Sequence, residues 1–236
     1  MKWRGTSTDS TTLPARADSL YEQLSEIKAN IAQYVKPEDR AINERAVATL
    51  RESGIAAKAL QAGATAPQFT LQDQNGKDVS SREILTQQPL IVLFFRGRWC
   101  PFCVTTLEAW RNAQPAIIAT GAKLVAISPQ MVRHNNFTTD QHKIRFPVLS
   151  DPGNHTAKAF GIAYRVPEEQ QKLYRRVFIN LPQVNGDDNW ELPIPAVFVI
   201  AQDGVIQYTA ADEDYTIRTE PAEVIRKLTK SNDSNL

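Results

Sequence analysis

The sequence predicts an α/β domain built on a mixed sheet with helices on both faces, preceded by an N-terminal helical extension. Three observations predict it. Two continuous apolar runs, PLIVLFF at 89–95 and AKLVAIS at 122–128, suit strands buried on both faces. Helical patterns at 101–119 and 132–142 follow them in turn, as a sheet with crossover helices requires. AVFVIA (196–201) and VIQYTA (205–210) flank the turn Gln202-Asp203-Gly204 and read as a hairpin.

The extension, residues 1–62, opens with a Ser/Thr-rich stretch. Leu13, Ala17, Leu20, Leu24, Ile27, Ile31 and Tyr34 then recur at spacings of four and three, the seam of a single helix that Pro37 ends. A second helix over 37–54 puts Ile42, Ala46 and Leu50 on one face and closes at Gly54. The seam has two uses: packing as a helical hairpin on its own domain, or self-association into a homodimer, which its regularity favours. The main domain, 63–236, begins with Phe69 and Leu71 alternating with polar residues, then a turn over 73–78. FPVLS (146–150) is a short strand, 154–160 a helix, and 219–230 an amphipathic closing helix. Charged, proline-containing sequence at 163–193 breaks the alternation and reads as an insertion.

The chain has 236 residues, 42% of them hydrophobic, with Lys+Arg 27 against Asp+Glu 26 for a net charge of +1. No basic field marks nucleic acid or an anionic membrane as partner. Lys2 and Arg4 precede no apolar segment of the kind a secretory signal contains, and no run approaches the roughly 18–20 apolar residues that span a bilayer. A cytoplasmic location is expected, and there a disulfide is more often transient and catalytic than structural.

That expectation bears on Arg96-Gly97-Arg98-Trp99-Cys100-Pro101-Phe102-Cys103, which holds both cysteines of the chain. They follow a buried strand and open a helix, with Cys100 at the N-cap and Pro101 at the first helical position. Unpaired N–H groups and the helix dipole favour a thiolate there, and Arg96 and Arg98 add positive charge. A second thiol three residues on is placed to resolve a mixed disulfide or sulfenic acid on the first. Two buried structural thiols are a second reading. A metal site is a third, but His134, His142 and His155 lack ligand spacing, and no metal or cofactor is expected. Trp99 either shields the sulfurs or packs, Asp187 and Asp188 suit a solvated turn, and Glu108 an ordinary surface carboxylate.

Gly63-Ala64-Thr65-Ala66-Pro67-Gln68-Phe69-Thr70-Leu71, the turn at Asn75-Gly76, Leu149-Ser150-Asp151-Pro152, and Phe198-Val199-Ile200 before Asp203-Gly204 resemble the alkyl hydroperoxide reductase/thiol-specific antioxidant (peroxiredoxin) family over about 63–228. The resemblance is to peroxiredoxin-like members carrying Cys-x-x-Cys, and it implies a thioredoxin-like fold. It also implies a reversible Cys100–Cys103 disulfide coupled to reduction of a hydroperoxide or a disulfide, with a thiol electron donor such as a thioredoxin-type protein. Against the family's Pro-x-x-x-Thr-x-x-Cys, Cys103 aligns with the peroxidatic cysteine, Arg96 with the proline and Cys100 with the threonine. The family's arginine falls on Pro195, where thioredoxins carry a cis-proline, so a cis Ile194–Pro195 bond is expected. Arg96, Arg98 or Arg218 remains to polarise a peroxide. Helix geometry favours Cys100 as first attacker. The alternative function is a protein-binding module with vestigial cysteines.

Overall fold

The computed structural model describes residues 19–233. Its centre is β3 (Leu90–Phe94), all five residues of which are buried. Alternation along the strand explains why no polar residue interrupts it. Ile91 and Leu93, with Phe95 beyond, face one apolar cluster, while Leu90, Val92 and Phe94 face the other. β4 (Lys123–Ser128) pairs with β3 in parallel, and β8 (Ala196–Ile200) pairs antiparallel on its other side. β5 (Val148–Ser150), β1 (Thr70–Gln72), β2 (Asp78–Ser80) and β9 (Ile206–Ala211) complete a seven-stranded sheet of order β2-β1-β5-β4-β3-β8-β9. The mixed sheet matches the sequence expectation, with the hairpin β8–β9 at one edge.

On one face lie α1 (Leu20–Tyr34), α5 (Pro101–Ala119) and α10 (Pro221–Asp233), which bring Leu24, Leu107, Trp110, Val224 and Leu228 to the first cluster. The other face is covered by Leu50 of α2 (Pro37–Ser53), Ile55 of α3 (Ile55–Lys58), Leu85 of α4 (Ser81–Leu85) and Ala157 of α7 (His155–Ala159). α6 (Val132–His142) packs against β5. α1 starts at a capping box in which the Ser19 hydroxyl accepts the Glu22 N–H while the Glu22 carboxylate accepts the Ser19 N–H.

The stripe that predicted self-association is largely spent within the chain. Leu20 and Leu24 are buried in the first cluster, and Ile27 and Ile31 pack against it as α1 lies on α5. Tyr34 alone of the described positions points out, at 60% exposure, while Leu13 and Ala17 lie outside the described residues. Among the described residues, the apolar positions of the helix thus share a cluster with Leu107 and Trp110 of the same chain.

Residues 163–193 form a lobe of their own. β6 (Ala163–Arg165) and β7 (Glu191–Pro193) make a two-stranded ladder enclosing α8 (Glu168–Arg176) and α9 (Leu181–Asn185). Val166, Leu173, Tyr174, Leu181, Trp190 and Leu192 supply its core, to which Ile42 of α2 and Trp99 also pack. The lobe is therefore docked rather than extended.

The Ile194–Pro195 bond is trans, contrary to the cis expectation. Ile194 N–H donates to Ile162 O (2.8 Å), and Pro195 O accepts the Asp212 N–H (3.3 Å). Both residues thus continue the hydrogen bonding of the strands they join, an extended path that the ordinary trans isomer satisfies.

Candidate active site

The cysteines sit where β3 hands over to α5. Phe95 N–H still donates to Ile127 O (3.0 Å), and then the chain leaves the sheet at Arg96. Gly97 follows with φ 152°, and a Cβ there would meet Trp99 Nε1 at 2.5 Å, so glycine lets the indole fold back over the loop. Arg98 N–H donates to Gln130 Oε1 (2.8 Å). Gln130 is held in turn by Asn135, whose amide bonds Ser128 of β4 and Ser150 of β5. This buried amide network fixes the loop to the adjacent strand ends, and nothing in the spacing of those residues marked it in the sequence.

Cys100 caps α5 and Pro101 is its first residue, as expected. The capping argument fails at the sulfur, however. Cys100 makes no side-chain cap hydrogen bond, and its carbonyl accepts the N–H groups of Cys103 (3.0 Å) and Val104 (3.1 Å). Both cysteines are free and buried, 2% and 0% exposed. Arg218 faces the other sulfur instead, with Nη2 3.5 Å from Cys103 Sγ. Burial opposes a thiolate, yet Cys100, Arg218 and Arg96 together hold Cys103 well below the usual thiol range. Burial and the neighbouring Cys103 push Cys100 well above it. The balance within the pair favours charge on Cys103 over Cys100, the opposite of the order expected from the N-cap.

Arg96 faces the Cys100 side of the pair. Its guanidinium is 1% exposed, with Nη1 3.9 Å from Cys100 Sγ and Nη2 donating to the Tyr174 hydroxyl. The Trp99 and Tyr215 rings lie 4.8 and 4.3 Å from its Cζ. Burial works against the cation, but the facing Tyr174, Tyr164, Cys100 and Cys103 raise its pKa well above the ordinary value. No ion pair joins Arg96 to a carboxylate among the described residues, so the natural counter-ion of this buried guanidinium is a cysteine thiolate.

Arg98 does not join them. It is exposed, and its guanidinium stacks 4.8 Å over the Phe137 ring. The backbone turn at Gly97 sends alternate side chains to opposite sides, so Arg96 enters the site and Arg98 leaves it. Trp99 does belong, packed on Tyr174 with ring centroids 5.2 Å apart. Pro195 precedes Ala196, which pairs with Phe94, and therefore stands at the end of the sheet where the cysteine loop emerges. It lines a half-open cleft of about 240 Å³ with Leu93, Thr106, Trp110, Val197 and Arg218. Arg218 thus contacts both the cleft and Cys103. Glu108 is not a bare surface carboxylate, because it accepts from His142 Nδ1 at 2.9 Å, and Asp187 caps a turn by accepting from Asn189 N–H (2.9 Å).

Residues 62–209 match the AhpC/TSA family. The chain belongs to that family. Curated relatives include the chloroplastic peroxiredoxin Q of Sedum lineare, 33% identical over 115 residues that cover 49% of this chain and 61% of that protein. The Triticum aestivum peroxiredoxin Q is 29% identical over 110 residues, covering 47% and 50% respectively. The chain thus spans less than two thirds of the length of these relatives. Peroxidoxin BcpB from Mycobacterium tuberculosis superposes with a TM-score of 0.57 at 19% identity, covering 72% of this chain and 97% of that one. The mitochondrial 2-cys peroxiredoxin from Plasmodium falciparum gives 0.57 at 17% identity, covering 74% and 95%. These likenesses establish the thioredoxin-like fold. Within the AhpC/TSA family, the departures noted in the sequence now have a physical content: Arg96, at the proline position, is a buried cation, and Arg218 brings a guanidinium to 3.5 Å from Cys103 Sγ.

Tyr164, Tyr174 and Tyr215 escaped the sequence reading. They lie far from the cysteines along the chain, in the insertion and after β9, and no motif ties them to Arg96.

Proposed function

We propose that this protein is a thiol peroxidase in which Cys103 attacks and Cys100 resolves. The observation that carries the reading is Arg218 Nη2 at 3.5 Å from Cys103 Sγ, beside a buried Arg96 without a carboxylate partner. The Cys103 thiolate attacks the terminal oxygen of a hydroperoxide, the O–O bond breaks, and the departing alkoxide takes up a proton as an alcohol or water. Cys103 becomes a sulfenic acid. Arg218, facing both the sulfur and the cleft, is the donor that stabilises charge developing on the peroxide oxygens. The Cys100 thiol then condenses with the sulfenic acid, releasing water and forming the Cys100–Cys103 disulfide. Two thiols of a donor, such as a thioredoxin-type protein, reduce that disulfide and leave as a disulfide themselves.

A reducing compartment such as the cytoplasm suits this cycle, since the donor must be kept reduced. No described helix is long and apolar enough to cross a membrane. Direct exchange with protein disulfides is less favoured, because the thiol of Cys100, the N-cap sulfur such exchange would use, is pushed well above its usual range. A binding module with vestigial cysteines would not need two guanidinium groups on one sulfur pair. Mass spectrometry after one equivalent of hydrogen peroxide tests the assignment. Sulfenic acid is expected on Cys103 in the Cys100→Ser protein, and little reaction in the Cys103→Ser protein; the opposite pattern overturns it.

A further inference from the structure

Both hydroxyl groups that meet Arg96 come from the lobe at 163–193. Tyr174 on α8 accepts from Nη2, and Tyr164 on β6 faces the same guanidinium. Tyr174 is 4% exposed and is at the same time part of the lobe core with Leu173, Leu181 and Trp190. The ring faces of Trp99 and Tyr215 confine the guanidinium from outside its plane but offer its N–H groups no in-plane acceptor. The Tyr174 hydroxyl meets the guanidinium at Nη2 and Cys100 Sγ faces it at Nη1.

We propose that Tyr174 and Tyr164 are positioning residues, through which the 163–193 lobe holds Arg96 against the cysteine pair and so sets how much of Cys103 is thiolate. The proposal rests on the reading of Cys103 as the attacking thiolate. The groups that face this centre are Cys100 and Arg96 from the loop before α5, Arg218 from the segment before α10, Tyr215 from the segment after β9, and the two lobe tyrosines. Burial pushes the Tyr215 hydroxyl up to about 12 and raises those of Tyr164 and Tyr174, so all three stay neutral. They act as dipoles with the oxygen toward the cation, not as counter-charges. A hydroxyl lost from this grip leaves a buried N–H without an acceptor. The guanidinium then turns between the two rings toward another partner, and its contact with Cys100 Sγ, already long at 3.9 Å, is the first to go.

The test titrates Cys103 by thiolate ultraviolet absorbance in the full chain carrying Cys100→Ser, with and without Tyr174→Phe and Tyr164→Phe. Phenylalanine keeps the ring in the lobe core and removes only the oxygen. Each substitution is expected to move the titration upward, Tyr174→Phe by about one pH unit, a tenfold loss of thiolate below the midpoint, with an unchanged near-ultraviolet circular dichroism spectrum. In an Arg96→Gln background the same substitutions are expected to move nothing further, which separates positioning from a general loosening of the lobe. The pH dependence of alkylation by iodoacetamide repeats the comparison without the Arg96 variant. A low Cys103 titration left in place by both phenylalanine variants overturns the inference alone. A parent that titrates at the ordinary thiol value overturns the assignment of Cys103 and the inference with it.

Discussion

Arg218 and Cys103 stand 115 residues apart in the chain and 3.5 Å apart in the fold, the guanidinium Nη2 directed at the sulfur. β3 and α5 deliver the cysteine, while the segment between β9 and α10 delivers the arginine. They meet at the end of the sheet where β3 runs into α5.

Replacing that arginine should expose its role. Arg218→Gln is expected to slow oxidation of Cys103 by hydrogen peroxide by about 100-fold, a typical loss for one transition-state donor. Stopped-flow fluorescence of the reduced protein measures it. A variant that reacts at the parent rate would leave Arg218 without a part in the chemistry.

Arg98→Ala should do almost nothing to the same rate. Its side chain is exposed and stacked on Phe137, away from both sulfurs. A change of more than about twofold, against expected surface-substitution effects within ±0.5 kcal/mol, would return Arg98 to the site.

The thiol pair also predicts how stability depends on pH. Cys103 is depressed in the folded state, so its contribution is complete above the unfolded thiol value and is lost as pH falls through the folded one. Cys100 is raised, so its contribution is complete below the unfolded value and is lost as pH rises through the folded one. The pair therefore stabilises the reduced protein most near the ordinary thiol value of about 8.5. Urea midpoints across pH, taken as differences from the parent, should show Cys103→Ser flattening the acid side and Cys100→Ser the alkaline side. Parallel curves for all three proteins would contradict the assigned directions.

Gly97→Ala should destabilise the protein by about 1–3 kcal/mol, the usual cost of a strained backbone position, with the clash added. The new Cβ would meet Trp99 Nε1 at 2.5 Å and Gln130 Oε1 at 3.2 Å at a φ of 152°. Chemical denaturation reads the stability. Peroxide reactivity should fall too, because Trp99 also packs on Arg96 and Tyr174.

Leu24→Ala tests where α1 belongs. Leu24 is buried with Trp110 and Leu107 of its own chain, and its truncation should cost about 2–5 kcal/mol. Light scattering should return the same mass for variant and parent. A mass that halves would mean the seam joins two copies after all.

The order of strands and helices, the double burial of 89–95 and the place of the cysteines at a strand-to-helix junction were legible in the sequence, because hydrophobic period and helix punctuation are local properties. Pro101 at the first turn of α5 and Gly54 at the end of α2, with φ 64°, follow from the same local rules. Which sulfur carries the charge was not local. The N-cap argument chose Cys100 from its own helix, but Arg218, from beyond β9, lies 3.5 Å from Cys103 Sγ, and Arg96 donates to Tyr174 of a segment that reads in sequence only as an interruption. The fate of the Leu20-to-Ile31 stripe was likewise open, since a periodic apolar face specifies burial without specifying a partner. Only the tertiary structure decided these points, because electrostatic and packing partners are set by distance in space, which the spacing of residues along one element does not encode.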